Sequence, residues 1–442
     1  MTKRVFLKTW GCQMNEHDAE RMIGLVTPMG YVLTENPEDA DLILLNTCSI
    51  REKAEQKVYS DLGRLAALKV ARPDLVIGVA GCVAQQEGQA LLRRSPAVDL
   101  VFGSKGIEHL PAFLNEAATT RAKVVYTQDP IGIAPTLPAD RRDRVRAWVS
   151  IMEGCENACS FCVVPTTRGR ERSRLSSEIK AEIDALCASG CREVTLLGQN
   201  VNSYGRTSFE GVDFSDLLEL LQPIEGLARI RYTTSHPNAL TEKLIDTVAR
   251  LPKVCPHLHL PLQSGSDRIL RRMERGYSIT EYLAIIERVR ERIPGIALTT
   301  DMIVGFPGET EDDFRKTVTA LETIRFDNIF AFKYSRRPNT SALDLDGHVA
   351  EPEKDRRLQA LLAVQRPITR EKNLAFNDRI EEVLVESASK TDRTRLMGRT
   401  PSHRIVNFDG PPDLIGRTVR LRITRVKANS FDGALVDTSL IA

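Results

Sequence analysis

Continuous apolar runs alternate with helical patterns in the first part of the chain. Three of these runs end in a cysteine, namely "RVFLKTWGC" from residue 4, "DLILLNTC" at 41–48 and "LVIGVAGC" at 75–82. Apolar runs separated by helices predict parallel strands in a doubly wound α/β sheet. Ligands bind at the carboxyl ends of such strands. We therefore expect Cys12, Cys48 and Cys82 to share a metal or cluster site, the alternative being that each is a small core residue.

A second alternating region begins near residue 147. Six strand patterns follow one another, "AWVSIMEG", "REVTLLGQ", "IRYTTS", "LHLPLQ", "LTTDMIVGF" and "IFAFKY", and helical patterns such as "ITEYLAIIERVRERI" separate most of them. A full β/α barrel needs eight such units. The pattern therefore predicts a partial (β/α)6 barrel, whose side opening would admit a large substrate.

Short strands with turn residues between them replace this pattern from residue 376. They predict a small C-terminal β-barrel. Residues 390–437 carry ten Lys or Arg against five Asp or Glu, and we interpret this basic barrel as an RNA-binding module rather than only a solvated surface. The predicted domains are therefore 1–127, 147–370 and 376–442, with a proline- and arginine-rich linker at 128–146.

Composition narrows the class of protein. The formal net charge of the 442-residue chain is only +2, so any affinity for nucleic acid must come from local patches. No apolar run approaches the ~18 residues of a membrane helix, and the N-terminus lacks the apolar region of a secretion signal. We expect a cytoplasmic protein without membrane association. Its nine cysteines favour metal binding or catalysis over a disulfide framework.

The segment "CENACSFC" places Cys155, Cys159 and Cys162 in a C-x3-C-x2-C pattern. A structural zinc site needs four ligands, and the candidates His236, His257 and His259 lie more than 70 residues further along the chain. An iron–sulfur cluster fits three cysteines better, with one iron left without a thiolate.

This motif, with Phe161 before its last cysteine, resembles that of the radical S-adenosylmethionine enzymes. The resemblance implies that the amino acid end of S-adenosylmethionine supplies the missing ligand. "LLGQN" stands where that family has a Gly-Gly-Glu-like turn, and "DMIVGFPGE" is similar to its Gly-x-Ile-x-Gly element, with Asp301 in place of the first glycine. Turn chemistry is the alternative role for these residues. The implied cofactor-binding residues are Phe161, Gly198, Gln199, Ser235, Gln263, Ile303 and Gly305.

The three domains together resemble the methylthiotransferases, whose last domain is called TRAM, and the resemblance covers essentially the whole chain. Segments including "LLNTCSIREKAEQK", "HLPLQSGSDRIL" and "GRTPSHRIVNF" resemble the MiaB branch, which acts on tRNA. The resemblance implies two 4Fe-4S clusters and S-adenosylmethionine as cofactors. It also implies that a deoxyadenosyl radical takes the hydrogen from carbon 2 of N6-(dimethylallyl)adenosine beside the anticodon. The second cluster would then deliver sulfur and methyl to that carbon.

The implied partners are the anticodon stem-loop of tRNA and an electron donor such as a flavodoxin or ferredoxin, with the enzyme a monomer. "RGRERSR" at 168–174 follows the cluster motif and could contact phosphates or the substrate loop. Its alternative role is a solvated turn. The predicted RNA-binding residues are Arg168, Arg170, Arg172, Arg174, Arg399, Arg404, Arg420 and Arg422.

Two alternatives remain open at this level. A sister methylthiotransferase would act on threonylcarbamoyladenosine in tRNA or on a ribosomal protein. An iron–sulfur RNA-binding sensor would carry clusters without radical chemistry.

Overall fold

The structure is a computed structural model that describes residues 2–48, 52–128, 134, 136–141 and 143–436. Residues 49–51 of the MiaB-like segment, most of 129–135 in the predicted linker and the last six residues lie outside the described part.

The N-terminal domain is a six-stranded parallel sheet with helices on both faces. The strand order is β2-β1-β3-β4-β5-β6, and separate apolar clusters cover the two faces. This confirms the predicted doubly wound α/β class. Its elements are β1 Lys3–Thr9, α1 Gln13–Val26, β2 Tyr31–Leu33, β3 Leu42–Thr47, α2 Glu52–Ala71, β4 Val76–Gly81, α3 Cys82–Glu87, α4 Gln89–Arg94, β5 Leu100–Phe102, α5 Leu110–Thr120 and β6 Val124–Tyr126.

The middle region contains the six predicted strands, all parallel, in two three-stranded sheets of order β11-β10-β7 and β12-β13-β14. The partial barrel is therefore confirmed. Its elements are β7 Arg146–Ser150, β8 Met152–Glu153, α6 Val164–Thr167, β9 Arg172–Ser173, α7 Ser176–Ala188, β10 Glu193–Leu197, α8 Phe214–Leu221, β11 Arg229–Tyr232, α9 Glu242–Arg250, β12 His257–His259, α10 Asp267–Arg272, α11 Ile279–Arg292, β13 Ala297–Val304, α12 Glu311–Ile324, β14 Asn328–Lys333 and α13 Glu351–Leu374.

Alternation along these strands separates the two faces of the barrel wall. Val194, Ile230, Leu258, Leu298 and Met302 pack with the surrounding helices in the largest apolar cluster. Because side chains alternate along a strand, the residues between them face the concave inner side. The inner face of the strands is consequently more polar than the helix-covered outer face. A ligand site within the barrel would therefore lie on this inner face.

The C-terminal domain is a closed five-stranded barrel of order β15-β16-β17-β19-β18, as predicted. Its strands are β15 Ile380–Ala388, β16 Leu396–Arg399, β17 Ile405–Phe408, β18 Thr418–Val426 and β19 Phe431–Leu435.

This small barrel docks against the amino-terminal ends of the partial barrel's strands. Arg229 donates to the carbonyl oxygens of Arg399 and Glu382, and Arg231 donates to those of Thr400 and Pro401 at 2.8 Å each. The docked domain closes that end of the partial barrel and leaves the carboxyl ends of the strands for the cysteine loop. Among the helices of the described residues, none is long and apolar enough to cross a membrane.

Candidate functional site

The three N-terminal cysteines follow three neighbouring strands. Cys12 comes after β1 and caps α1, Cys48 follows β3, and Cys82 begins α3 directly after β4. The strands β1, β3 and β4 are adjacent in the sheet, so the cysteines share its carboxyl edge, as the sequence analysis expected. A hydrogen bond from Cys48 is the main factor that lowers the pKa of the Cys12 thiol to about 6. This edge therefore favours a thiolate, the form that binds metals.

The second group of cysteines lies in the loop between β8 and α6. The side-chain amide of Asn157 donates to Cys155 Sγ at 3.3 Å, and the backbone N–H of Val164 donates to Cys162 Sγ at 3.5 Å. Burial raises the pKa of Cys162 to about 12. A buried sulfur of this kind becomes a thiolate only with a cation beside it, so the loop suits a bound iron–sulfur cluster.

The two cysteine groups lie on elements in mutual contact. Helix α3, which begins at Cys82, packs against α6, which follows Cys162. Arg168, just after α6, donates to Asp18 on α1 at 2.7 Å, and the Asp18 carboxylate is the main factor that raises the pKa of Arg168 against the effect of burial, with Cys82 and Cys12 as further neighbours that raise it. The N-terminal edge and the cysteine loop therefore form one composite site.

Among the described residues, no three Cys, His, Asp or Glu side chains converge on a single metal ion. A 4Fe-4S cluster does not require such convergence because each thiolate binds a different iron. Three thiols on each side of the composite site fit one cluster apiece, each with one iron open to another ligand.

Unpaired polar atoms lie near the carboxyl ends of the barrel strands. Asn200 Oδ1, Ser235 Oγ, His236 Nε2 and Gln263 Oε1 are buried and have no hydrogen-bond partner in the described part of the chain. Buried polar groups are normally paired, so such atoms indicate a missing ligand. Their position beside the cysteine loop suits a polar cofactor such as the amino acid and ribose parts of S-adenosylmethionine. Ser235 and Gln263 were predicted for this role, whereas Asn200 and His236 were not.

The other predicted cofactor residues are grouped around the same loop. Gln199 Oε1 accepts the Gly154 N–H at 2.5 Å, which holds the start of the cysteine loop. A Cβ on Gly198 would come within 2.5 Å of Met152 Sδ. Phe161 and Ile303 pack in one apolar cluster. Gly305 differs from the others, because its N–H already donates to Glu309 and a Cβ there would meet Lys354.

Of the four arginines at 168–174 that were predicted to bind RNA, only one is exposed. Arg168 and Arg174 are buried, and Arg174 pairs with Glu182 at 2.7 Å. Arg172 pairs with Glu153 at 3.2 Å. Arg168 contacts the N-terminal domain through Asp18, Arg174 contacts the linker through Thr136, and Arg172 joins two segments of the partial barrel. Arg170 is exposed and accessible to a phosphate.

The predicted arginines of the C-terminal barrel also fall into two groups. Arg399 pairs with Glu386, and Arg404 pairs with Asp327 of the partial barrel, so both contribute to domain structure. Arg420 and Arg422 alternate along β18 and are exposed on its outer face. The outer face of β18 is therefore the basic surface that an RNA backbone could reach.

Sequence reasoning missed Arg275, which lies 116 residues from the cysteine that it contacts. Its guanidinium donates to Cys159 Sγ at 3.1 Å and to the Pro261 carbonyl at the same distance. It is 5% exposed. No short-range motif signals such a contact, because it arises only when the α10–α11 connection packs beneath the cysteine loop.

Three family profiles match the chain. They are the uncharacterized protein family UPF0004 at residues 4–103, the radical SAM superfamily at 149–321 and the TRAM domain at 377–436. Each matched range falls on one of the three structural units described above.

Solved structures resemble the fold at low sequence identity. The chain aligns with the radical S-adenosylmethionine methyltransferase TsrM from Kitasatospora setae with a TM-score of 0.58 at 16% identity, covering 78% of this chain and 77% of that one. The cobalamin-dependent radical enzyme OxsB aligns with a TM-score of 0.55 at 13% identity, covering 82% and 56% of the two chains. At these identities the similarity concerns the fold alone.

Curated relatives are similar over nearly their whole length. A tRNA-2-methylthio-N(6)-dimethylallyladenosine synthase from Syntrophus aciditrophicus is 48% identical, covering 98% of this chain and 95% of the relative. One from Carboxydothermus hydrogenoformans is 46% identical, covering 98% and 99%. With both cysteine groups and all three domains in place, the chain belongs to the tRNA-2-methylthio-N(6)-dimethylallyladenosine synthase family of radical S-adenosylmethionine enzymes.

Proposed function

We infer that this enzyme inserts a methylthio group at carbon 2 of N6-(dimethylallyl)adenosine beside the anticodon of tRNA. The observation that carries the inference is the composite site, in which two groups of three cysteines from different domains lie on contacting elements. One group suits radical generation and the other suits delivery of sulfur, so the two steps can occur without the substrate leaving the enzyme.

The cofactors are two 4Fe-4S clusters and S-adenosylmethionine, which together supply an electron, a deoxyadenosyl radical, sulfur and a methyl group. Cys155, Cys159 and Cys162 hold the radical-generating cluster, and Cys12, Cys48 and Cys82 hold the second. Polar atoms of Ser235 and Gln263 orient S-adenosylmethionine, since they are buried without partners beside the loop. The assignment of each of these residues is part of the proposal.

Aromatic and aliphatic side chains keep water away from the radical. Phe161 of the cysteine loop and Ile303 pack against the apolar cluster that contains Phe306, and the ring centroids of Phe161 and Phe306 are 6.4 Å apart. A radical that attacks an unactivated C–H bond needs such a dry site, because water and solvent-borne groups would otherwise react with it.

The substrate is a tRNA, and the anticodon stem-loop is the part that enters. Arg170 beside the cysteine loop, with Arg420 and Arg422 on the C-terminal barrel, is proposed to contact its phosphates. A flavodoxin or ferredoxin is the proposed electron donor. We further propose that the enzyme works as a monomer in the cytoplasm, where tRNA is modified.

Nucleoside mass analysis tests the proposed function. The reconstituted, reduced enzyme is incubated anaerobically with S-adenosylmethionine and either a prenylated or a threonylcarbamoylated tRNA. We expect a methylthio mass gain only on the prenylated adenosine. A gain only on the other tRNA would indicate the sister activity, deoxyadenosine without either gain would indicate a protein substrate, and no deoxyadenosine at all would support a sensor.

Replacing Arg170 with glutamine should weaken tRNA binding without affecting cluster content. Each phosphate contact contributes a salt-dependent term, so we expect the slope of log K against log salt to fall by about 0.7–0.9. Fluorescence anisotropy at several salt concentrations measures this slope. Arg315→Gln is the matched control, because Arg315 is exposed on the outer helix α12. An unchanged slope in Arg170→Gln would show that Arg170 does not contact a phosphate of the RNA.

Replacing Arg275 with glutamine should make the radical-generating cluster harder to reduce. The buried guanidinium donates to Cys159 Sγ, and a hydrogen bond from a charged group stabilises the more negative, reduced state. Such a bond contributes about 1.5–3 kcal/mol, so for this one-electron couple we expect the midpoint potential to fall by roughly 65–130 mV. A redox titration followed by electron paramagnetic resonance measures the potential.

Arg275→Lys retains the charge and is expected to recover part of the potential. Iron content checks that the cluster itself is retained in both variants. A potential equal to that of the wild type in Arg275→Gln would show that Arg275 has only a packing role.

A further inference from the structure

The concave side of the partial barrel carries a polar and aromatic group that the proposed reaction has not used. On β13, Met302 and Val304 point outward into the helical core. Thr299, Asp301 and Ile303 alternate with them and therefore point inward. Ile303 and Phe161 of the cysteine loop pack against the same apolar cluster. Asp301 thus lies on the same inner face, one side-chain repeat of about 7 Å further into the barrel.

Two neighbours complete this group, which we call the lumen triad of His259, Asp301 and Phe330. Phe330 on β14 is directly opposite Asp301 in the strand register. His259 Nε2 lies 3.5 Å from Asp301 Oδ2, and its ring centroid lies 5.7 Å from that of Phe330. His259 Nδ1 is 3.0 Å from Thr299 Oγ1, which orients the imidazole. The triad therefore has a fixed ring, a carboxylate and an aromatic face.

The triad is accessible although it lies inside the barrel wall. Phe330 is 47% exposed, and the side chain of Asp301 is 31% exposed. Ile329, next to Phe330 on the outer face, is 6% exposed. An exposed phenylalanine beside a carboxylate and an imidazole on a concave surface offers a ligand an apolar face and polar partners together. Because β14 is the last strand of its sheet, the triad also lies at the barrel's open edge.

The positions of the neighbouring domains limit what can occupy the triad. The C-terminal barrel closes the amino-terminal end of the partial barrel, where His257 stacks on His403 at 5.3 Å. The cysteine loop covers the opposite end. A ligand at the triad consequently enters from the open edge and extends toward the cysteine loop, as a base turned out of a single-stranded loop would.

We propose that the lumen triad binds the target adenine and its N6-alkyl group, and this proposal rests on the function proposed above. The Asp301 carboxylate accepts the exocyclic N–H of the base, and His259 donates through Nε2 to a ring nitrogen, because its Nδ1 is already paired with Thr299. Phe330 packs against the purine face or the apolar N6 substituent. Stacking and edge contacts of this kind are how proteins read unpaired bases. Asp301, which departs from the glycine of the radical S-adenosylmethionine pattern, thereby becomes a specificity residue.

The chemistry of the triad favours an alkylated adenine over an anionic ligand. Asp301 would repel a phosphate or carboxylate placed beside it, whereas an N–H donor compensates its charge. The aromatic face offers apolar contact to a dimethylallyl group. The combination of one acceptor, one imidazole and one open ring matches a neutral purine with an apolar substituent.

The test compares Phe330→Ala and Asp301→Asn with the wild type in the full-length, reconstituted enzyme. One measurement is the dissociation constant for an anticodon stem-loop with and without the dimethylallyl group. We expect Phe330→Ala to lose roughly 5- to 100-fold in affinity for the alkylated loop, the range typical of removing one stacking contact. The unmodified loop should lose less, so the preference between the two RNAs falls.

The second measurement is the ratio of methylthio product to deoxyadenosine. Both variants keep all six cysteines of the two groups, so deoxyadenosine formed in the same reaction is the reference for the amount of radical produced. A poorly held base would let the radical decay unused, so the product ratio should fall at least several-fold. Phe330→Tyr retains the ring and should recover both the preference and the ratio.

Phe209→Ala is the matched control, because Phe209 is fully exposed on a loop outside the barrel's inner face. It should leave the RNA preference and the product ratio unchanged. Equal loss of affinity for both RNAs, or an unchanged product ratio in both triad variants, would overturn the proposal. Failure of the wild type to make any methylthio product would instead reject the proposed function, so the two failures are distinguishable.

Discussion

Replacing Cys155 with alanine is expected to abolish deoxyadenosine formation. The loop between β8 and α6 offers three thiols, and a cluster held by three cysteines cannot be held stably by two. Without this cluster no electron reaches S-adenosylmethionine, so the deoxyadenosine yield should fall below about one hundredth of the wild-type value. Such a hundredfold loss corresponds to about 2.7 kcal/mol. Chromatography of the anaerobic, dithionite-reduced reaction measures the yield, and iron analysis should show the loss of about one cluster per chain.

Cys187→Ala is the matched control for this variant. Cys187 is a partly buried cysteine on α7 that packs beside Gly226, away from the cysteine loop. Its replacement should leave both iron content and deoxyadenosine formation unchanged. Continued deoxyadenosine formation by Cys155→Ala, with the full iron content, would show that the radical-generating cluster is held elsewhere.

Replacing Cys12, Cys48 and Cys82 together should separate the two half-reactions. The cysteine loop and the unpaired polar atoms of the barrel are unchanged in this variant, so deoxyadenosine should still form. Methylthio product should be undetectable, because the sulfur-carrying cluster would have no thiolates. Mass analysis of the tRNA nucleosides and of deoxyadenosine in one reaction measures both quantities.

Cys48 and Cys82 are buried, so alanine at these positions removes packing as well as ligands. The corresponding triple serine variant keeps the volume and should behave in the same way, with circular dichroism confirming that the domain is folded. Methylthio product from either folded variant would show that these cysteines do not carry the transferred sulfur.

Most of the architecture was predictable because it depends on local periodicity. Apolar runs ending at Cys12, Cys48 and Cys82 placed these residues at strand ends, and the sheet order made the strands neighbours. The six barrel strands and the five strands of the C-terminal barrel were found in the same way. Motif spacing identified the cysteine loop, since its three cysteines lie within the single short segment 155–162 of the sequence.

The remaining features depend on how the domains dock, which periodicity does not encode. Arg168 and Arg174 look like surface residues in a basic segment, yet the N-terminal domain and linker bury both. Arg275 reaches Cys159 only through tertiary packing. The lumen triad brings together residues from three strands, and only the strand register makes Asp301 and Phe330 partners.

The C-terminal barrel is held in part through its main-chain atoms, and this affects which substitutions the domain contact tolerates. Arg229 and Arg231 donate to carbonyl oxygens of residues 399–401 and 382, and every amino acid provides such an acceptor. Substitutions among these residues can therefore change the side chains without removing the acceptors that hold the domain in place. This part of the domain contact is therefore compatible with changes of side chain in the C-terminal barrel, whereas the ion pair between Arg404 and Asp327 depends on both side chains.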